Sequence, residues 1–199
     1  MTSEALFAAL RRVLEDLRAE QRSCALVGGI GVSVRAEVRF TRDVDLAVAV
    51  EDDFDAEQLV SALRTHGYRA VATVEQAAVG RLSTVRLLSP SGIKVDLLFA
   101  SSGIEHETVA RASIVELPEV GQVPVAAPEE LLAMKVLSMT ERRLQDRIDA
   151  QRLLTRNPGL DLDRVRANLR MIQRRGYHRE EKLLEKLDQV IAAADAVTG

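Results

Sequence analysis

Apolar residues recur at helical spacing near the N-terminus. Leu6, Leu10, Val13, Leu14 and Leu17 share one face of a helix that Thr2 or Ser3 can cap and that runs to about Glu20. The period then shortens. Cys24-Ala25-Leu26-Val27 forms a brief apolar strand, broken at Gly28-Gly29, and a short helical run over about 30–35 follows. A second strand carries Asp43-Val44-Asp45-Leu46, with Val44, Leu46 and Val48 directed into a core. Asp52-Asp53 opens a helix over about 53–65, with Phe54, Leu59, Val60 and Leu63 predicted inward and Gly67 at its end. Strands are predicted at 68–74, 82–88 and 94–99; Ser89-Pro90-Ser91-Gly92 joins the last two as a hairpin. A short helix over about 104–112 and a small edge hairpin, 114–117 with 122–125 around Gly121, complete the front of the chain. Pro128 suits the first turn of a helix over about 128–138. Three further helices are predicted at 141–155, 161–174 and 179–196, separated by Asn157-Pro158-Gly159 and Arg175-Gly176-Tyr177. The pattern predicts an α/β unit over 1–126 and a helical unit over 127–199.

Composition narrows the possibilities. A chain of 199 residues with 47% apolar content builds a substantial core. No run approaches the 18 apolar residues of a membrane span, and the N-terminus lacks a basic start followed by an apolar stretch. A cytoplasmic protein without membrane contact is expected. Its single cysteine, Cys24, lies in an apolar strand and suits a reducing compartment. Aromatic residues make up 3% and Trp is absent, so stacking platforms for single-stranded nucleic acid are not evident. His66, His106 and His178 are scattered without zinc-ligand spacing, and no Ser-His-Asp or Cys-His nucleophile is legible. Charge is unevenly spread. Residues 1–140 hold 14 Lys/Arg against 20 Asp/Glu, whereas residues 141–186 hold 13 against 8. That basic rear suits a polyanionic acceptor, or is a solvated arginine-rich surface.

The chemistry concentrates between Val27 and Val48. Alternation puts Asp43 and Asp45 on one strand face, about 7 Å apart. Two neighbouring carboxylates on a half-buried strand repel each other and lose solvation. A divalent cation relieves both costs, and hard oxygen donors suit Mg²⁺. Gly28 and Gly29 allow a tight turn and close approach of the backbone, and the helix starting there directs N–H groups at an anion. Phosphate at the glycines and metal at the aspartates describe a nucleoside-triphosphate site. A dinucleotide fingerprint is excluded because Val34 stands where its third glycine belongs; a Walker loop is excluded because no Gly-Lys-Ser/Thr follows.

Gly28-Gly29, thirteen residues, then Asp43-x-Asp45 resembles the signature of DNA polymerase β-type nucleotidyltransferases. Within that superfamily, Arg39-x-Thr41-x-Asp43-Val44-Asp45 is most similar to the nucleotidyltransferase toxins of abortive-infection, type IV toxin–antitoxin systems. The resemblance implies a polymerase β-like mixed sheet with a C-terminal helical bundle. Asp96, an acid inside the apolar strand Ile93-Lys94-Val95-Asp96-Leu97, occupies the place of the family's third carboxylate. Asp43, Asp45 and Asp96 are then the expected Mg²⁺ ligands, with Asp96 also able to accept the acceptor hydroxyl's proton. Many superfamily members have Gly-Ser where Gly28-Gly29 stands, so a phosphate contact made there by serine falls to backbone N–H. The toxins have an arginine at the place of Arg39, next to Thr41; Arg42 is as readily a partner of Glu37 or Asp43. Lys135, one of four lysines, matches a family lysine that contacts the nucleotide. The family's Arg-x-Lys-Asp-x-x-Asp pattern here reads Arg143-Leu144-Gln145-Asp146-Arg147-Ile148-Asp149, with Gln145 replacing the lysine. Asp146 and Asp149 share a helical face and either position Lys135, face the cleft, or pair with Arg142, Arg143 and Arg152.

The resemblance implies transfer of a nucleoside monophosphate from an NTP to tRNA by a toxin with a separately encoded antitoxin. Two other functions fit parts of the pattern. An antibiotic nucleotidyltransferase would favour an acidic acceptor cleft, and a non-catalytic nucleotide-binding regulator would ordinarily have lost one of the three aspartates.

Overall fold

Thr2 accepts the Ala5 N–H and starts α1 (Ser3–Ala19), whose leucines and Val13 are buried along one stripe as the periodicity predicts. The computed structural model describes residues 2–198. Among them are β1 (Cys24–Leu26), α2 (Gly28–Arg35), β2 (Asp43–Val48), α3 (Asp53–Thr65), β3 (Arg69–Gln76), β4 (Arg81–Leu88) and β5 (Lys94–Leu98). There follow α4 (Glu105–Ala110), β6 (Ser113–Leu117), β7 (Gly121–Val125), α5 (Pro128–Ser138), α6 (Leu144–Arg156), α7 (Leu162–Arg174) and α8 (Leu183–Thr198).

The strands form one mixed sheet in the order β3-β4-β5-β2-β1-β7-β6. β2 runs parallel to β5 and antiparallel to β1, while β4 pairs antiparallel with both β3 and β5. Alternation divides the interior in two. Leu26, Val44, Leu46, Val48, Val95 and Leu97 pack with α1 and α3 in one core. Ala25, Val27 and Ala47, from the opposite side chains of the same strands, join residues of α5 to α8 in the other. Asp43 and Asp45 alternate with the first set, so they stand on the face that the helical bundle covers. That places the acids at the junction of sheet and bundle.

Three predicted details differ. Phe54 is 67% exposed. The buried face of α3 is set by Ala56, Leu59 and Leu63, and Phe54 lies two residues before it, on the far side of the helix. The helix predicted from 141 begins at Leu144, because Met139 is extended and 140–143 form the turn that reverses the chain after α5. The last helix begins at Leu183 instead of 179, because Arg179 and Glu180 take left-handed φ angles of 53° and 61° that no helix continues.

Candidate active site

At the end of β1 the backbone turns sharply: Gly28 has φ +58°, and α2 starts on it. A Cβ at Gly28 would lie 1.9 Å from Asp45 Oδ2, and one at Gly29 2.6 Å from Thr41 Oγ1 and 2.8 Å from Arg39 Nη2. Both glycines are therefore required by close packing: the start of α2 rests directly on the acidic strand and on the loop preceding it. The Gly29 N–H faces the Asp45 carboxyl and stabilises its charged form. Ser33, one turn along α2, donates to the Gly29 carbonyl at 2.9 Å and accepts the Arg39 N–H at 3.2 Å, which fixes that loop against the helix.

The carboxylates meet across two strands. Parallel pairing of β2 with β5 sets Asp45 level with Asp96 and Asp43 level with Lys94. Burial, reinforced by the neighbouring Asp96, pushes the Asp45 carboxyl up to about 6; Lys135 and the Gly29 N–H oppose the shift. Asp96 is held differently. Arg86, its cross-strand partner on β4, donates from Nε to Oδ1 at 2.8 Å and from Nη2 to Oδ2 at 2.6 Å. The Asp43 carboxylate has no hydrogen bond or ion pair among the described residues.

The helical bundle supplies the cation. Lys135 projects from α5 with its side chain 11% exposed, and its Nζ lies 2.8 Å from Asp146 Oδ1 and 2.7 Å from Asp149 Oδ2, both on α6. Asp149, fully buried, also meets Arg39 Nε at 3.0 Å and accepts the Gln145 amide at 2.8 Å. Arg143 closes on Asp146 Oδ2 at 2.7 Å. Asp146 and Asp149 thus hold Lys135, one of the arrangements that helical spacing left open, and Asp149 additionally ties the Arg39 loop to the bundle. Gln145, where the resembled motif has lysine, places a neutral donor on Asp149. Arg42 pairs with neither Glu37 nor Asp43 and lies 5.3 Å from the Phe40 ring centre.

Gly28, Gly29, Arg39, Thr41, Asp43, Asp45, Asp96, Lys135 and Asp146 all line a single cleft of about 670 Å³. Every residue singled out from sequence for catalysis, nucleotide or metal is brought to it. Arg143, which the sequence offered as a partner of Asp146, lines it too, and so does Arg86, which was missed. Arg86 had a legible signal: it is a charge inside the apolar strand 82–88, and the hairpin turn sets it opposite Asp96.

The donor set suits a hard divalent cation, since all three acids offer oxygen and the charge on Asp45 is poorly compensated. The arrangement is nevertheless not a ready three-ligand cage. Among the described residues no three His, Cys, Asp or Glu side chains are gathered to hold an ion, because Asp96 is turned to Arg86. Asp43 and Asp45 share one strand face with no ion pair to either, whereas both oxygens of Asp96 are taken by Arg86.

Much of the basic rear is internally paired. Arg152 and Arg156 meet Glu37, Arg164 meets Glu129 and Glu130, and Arg175 meets Glu107. Arg142, Arg147, Arg170 and Arg174 are exposed and make no ion pair among the described residues. Among the described residues no helix is long and apolar enough to cross a membrane.

A family model described as nucleotidyl transferase AbiEii toxin, type IV TA system, matches residues 10–196. No curated protein matches the chain. Among solved structures, an antigenic nucleotidyltransferase-like protein from Paracoccidioides brasiliensis is similar at 18% identity and TM-score 0.50, covering 94% of each chain. The antibiotic-resistance factor ANT(2'')-Ia is similar at 14% identity and TM-score 0.53, covering 87% of this chain and 94% of its own. These two likenesses are of fold: a nucleotidyltransferase sheet with helices following it.

Proposed function

The chain belongs to the AbiEii nucleotidyl transferase toxin family of type IV toxin–antitoxin systems, and from that premise we propose that it transfers a nucleoside monophosphate from an NTP to a hydroxyl of tRNA. In this reading it is a Mg²⁺-dependent toxin acting in the cytoplasm, with a separately encoded antitoxin as its partner. One observation carries the site assignment: Asp45 lies between the glycine turn and Asp96, in the same cleft as Lys135 and Arg39.

The residues divide the work by their chemistry. The N–H groups at the start of α2, with Arg39, Thr41 and Lys135, offer donors and positive charge to the triphosphate. Asp146 and Asp149 orient Lys135 and limit its motion, so that it meets a phosphate from a fixed place. Asp43, Asp45 and Asp96 are the candidate metal ligands, and Mg²⁺ bound there would neutralise charge on the triphosphate. In the transfer itself the acceptor oxygen forms a bond to the α-phosphorus as the bond to the bridging oxygen of the β-phosphate breaks. Pyrophosphate leaves, and the hydroxyl proton passes to Asp96.

The test is direct. The protein is incubated with each labelled NTP in turn, Mg²⁺ and total RNA, and the products are resolved by size. The expected result is label on tRNA-sized RNA with a preferred NTP. In a parallel incubation with aminoglycosides in place of RNA, label on the drug and none on RNA would make the acceptor a small molecule, and no label on any acceptor would overturn the transferase reading of this cleft.

A further inference from the structure

Asp96 is the member of the acidic trio whose two oxygens are both taken. The Arg86 fork closes on them in parallel, at 2.8 and 2.6 Å, and the pair is cross-strand partners in a hydrogen-bonded ladder. Exposure is unequal: the Arg86 side chain is 40% exposed and that of Asp96 11%, so the guanidinium faces the cleft with the carboxylate behind it. Asp43 and Asp45 have no such cation closed on them, and Lys135 is engaged by Asp146 and Asp149.

We propose that Arg86 reserves Asp96: the nucleotide-free enzyme offers a divalent ion only Asp43 and Asp45, and Asp96 becomes a ligand when a phosphate-bearing substrate takes over the guanidinium. The proposal rests on the reading of these aspartates as a metal site. Its physical basis is exchange of like for like. A guanidinium fork matches the oxygens of a phosphate as well as those of a carboxylate, so substrate binding replaces the partner instead of merely removing it. Releasing Asp96 with nothing in exchange would leave a nearly buried, unpaired carboxylate beside the half-buried Asp45, which raises the cost of early release. Arg86 is thus a positioning residue: it keeps Asp96 from a metal ion until a polyanion is in the cleft, and couples full metal loading to substrate.

The test uses Mn²⁺ alone, without nucleotide, and measures its affinity from the free-ion electron paramagnetic resonance signal. Four intact proteins are compared: wild type, Asp96→Asn, Arg86→Gln and the double variant. Asp96→Asn is expected to change Mn²⁺ affinity by less than about twofold in the wild type, and to weaken it by about tenfold or more in the Arg86→Gln background. Loss of a cation near the site raises metal affinity by general electrostatics, but that effect alone cannot make the affinity depend on Asp96. An equal effect of Asp96→Asn in both backgrounds overturns the proposal, whether the effect is small or large. Arg86→Lys, which keeps the charge and loses the fork, gives the same comparison if Arg86→Gln melts below the assay temperature. Failure of the underlying metal-site reading looks different: Mn²⁺ affinity would then be unchanged by Asp43→Asn in every background.

Discussion

Asp45 is held between the Gly28 backbone and Asp96, and its pH behaviour follows from that place. Its folded-state value of about 6 lies above the ordinary 3.8, because burial and Asp96 favour the protonated form. The folded protein therefore binds this proton more tightly than the unfolded chain does. The group's favourable contribution is complete below about pH 4 and is lost as pH rises through about 6. In metal-free protein, Asp45→Asn should accordingly raise the melting temperature by a few degrees at about pH 7.5 and leave it unchanged near pH 4. Scanning calorimetry with chelator at the two pH values checks this; an equal shift at both would show that the carboxylate's charge is not the cause. The same variant, like Asp43→Asn, should abolish labelling of the acceptor. Gly28 gives a second test at this scale. Gly28→Ala carries a backbone cost of about 1–2 kcal/mol for its left-handed φ, and its Cβ also collides with Asp45. Gly80→Ala, with φ +61° and open space around it, carries the backbone cost alone. Chemical denaturation should find Gly28→Ala the more destabilised of the two, and labelling should find it alone inactive.

At the scale of elements, one polar link between sheet and bundle runs through Asp149. It is fully buried on α6 and meets Lys135 of α5, Arg39 of the loop before β2, and Gln145 one turn back on its own helix. Removing one member of a buried ionic group leaves the others unpaired, so Asp149→Ala should cost about 3–5 kcal/mol in urea denaturation. Adding Lys135→Met should recover part of that loss, because it removes a stranded charge. Simple additivity of the two changes would show that Asp149 and Lys135 do not depend on each other. Element boundaries were less legible than element identities. The sequence pattern located all eight helices among the described residues, yet the start of the last was set by two left-handed residues that no local pattern marks. Phe54 shows the limit of periodicity in a short helix, where a shift of two residues in the inferred face reverses an exposed position.

At the scale of the whole molecule, the basic rear separates into arginines already committed and arginines left over. Arg175 donates to the Gly103 carbonyl and meets Glu107, so its replacement would disturb the junction of α7 with the loop after β5. Arg142 and Arg147 are uncommitted, and Arg142 lines the cleft. If RNA is the acceptor, its binding should weaken steeply with salt, and Arg142→Ala with Arg147→Ala should weaken it more than Arg170→Ala with Arg174→Ala. Filter binding across a salt series measures both. An affinity indifferent to salt and to all four arginines would leave this surface merely solvated. We also propose 1–126 and 127–199 as the two units of the chain, joined by a shared core. Because Ala25, Val27 and Ala47 bury against the bundle, the first unit expressed alone should expose that face and bind a hydrophobic dye.

The sequence by itself determined the parts of the site that local geometry controls. Alternation put Asp43 and Asp45 on one face, the glycine pair marked the turn beside them, and the Ser89–Gly92 hairpin placed Asp96 on the strand antiparallel to 81–88. Each rests on a period, a turn or a cap that spans a few residues. Only the tertiary structure decided which groups those acids meet. Asp45 lies level with Asp96 because strands fifty residues apart pair in parallel, and Lys135 finds Asp146 and Asp149 because two helices dock on the sheet. Arg86 falls between these cases: the hairpin made its position readable, but the closure of its fork on both oxygens of Asp96 is a feature of the folded sheet. The physical reason is one of range. Secondary structure is fixed by neighbours in the chain, whereas charge partners at a buried junction are chosen by how whole faces pack, and a single charge pattern is compatible with several such choices.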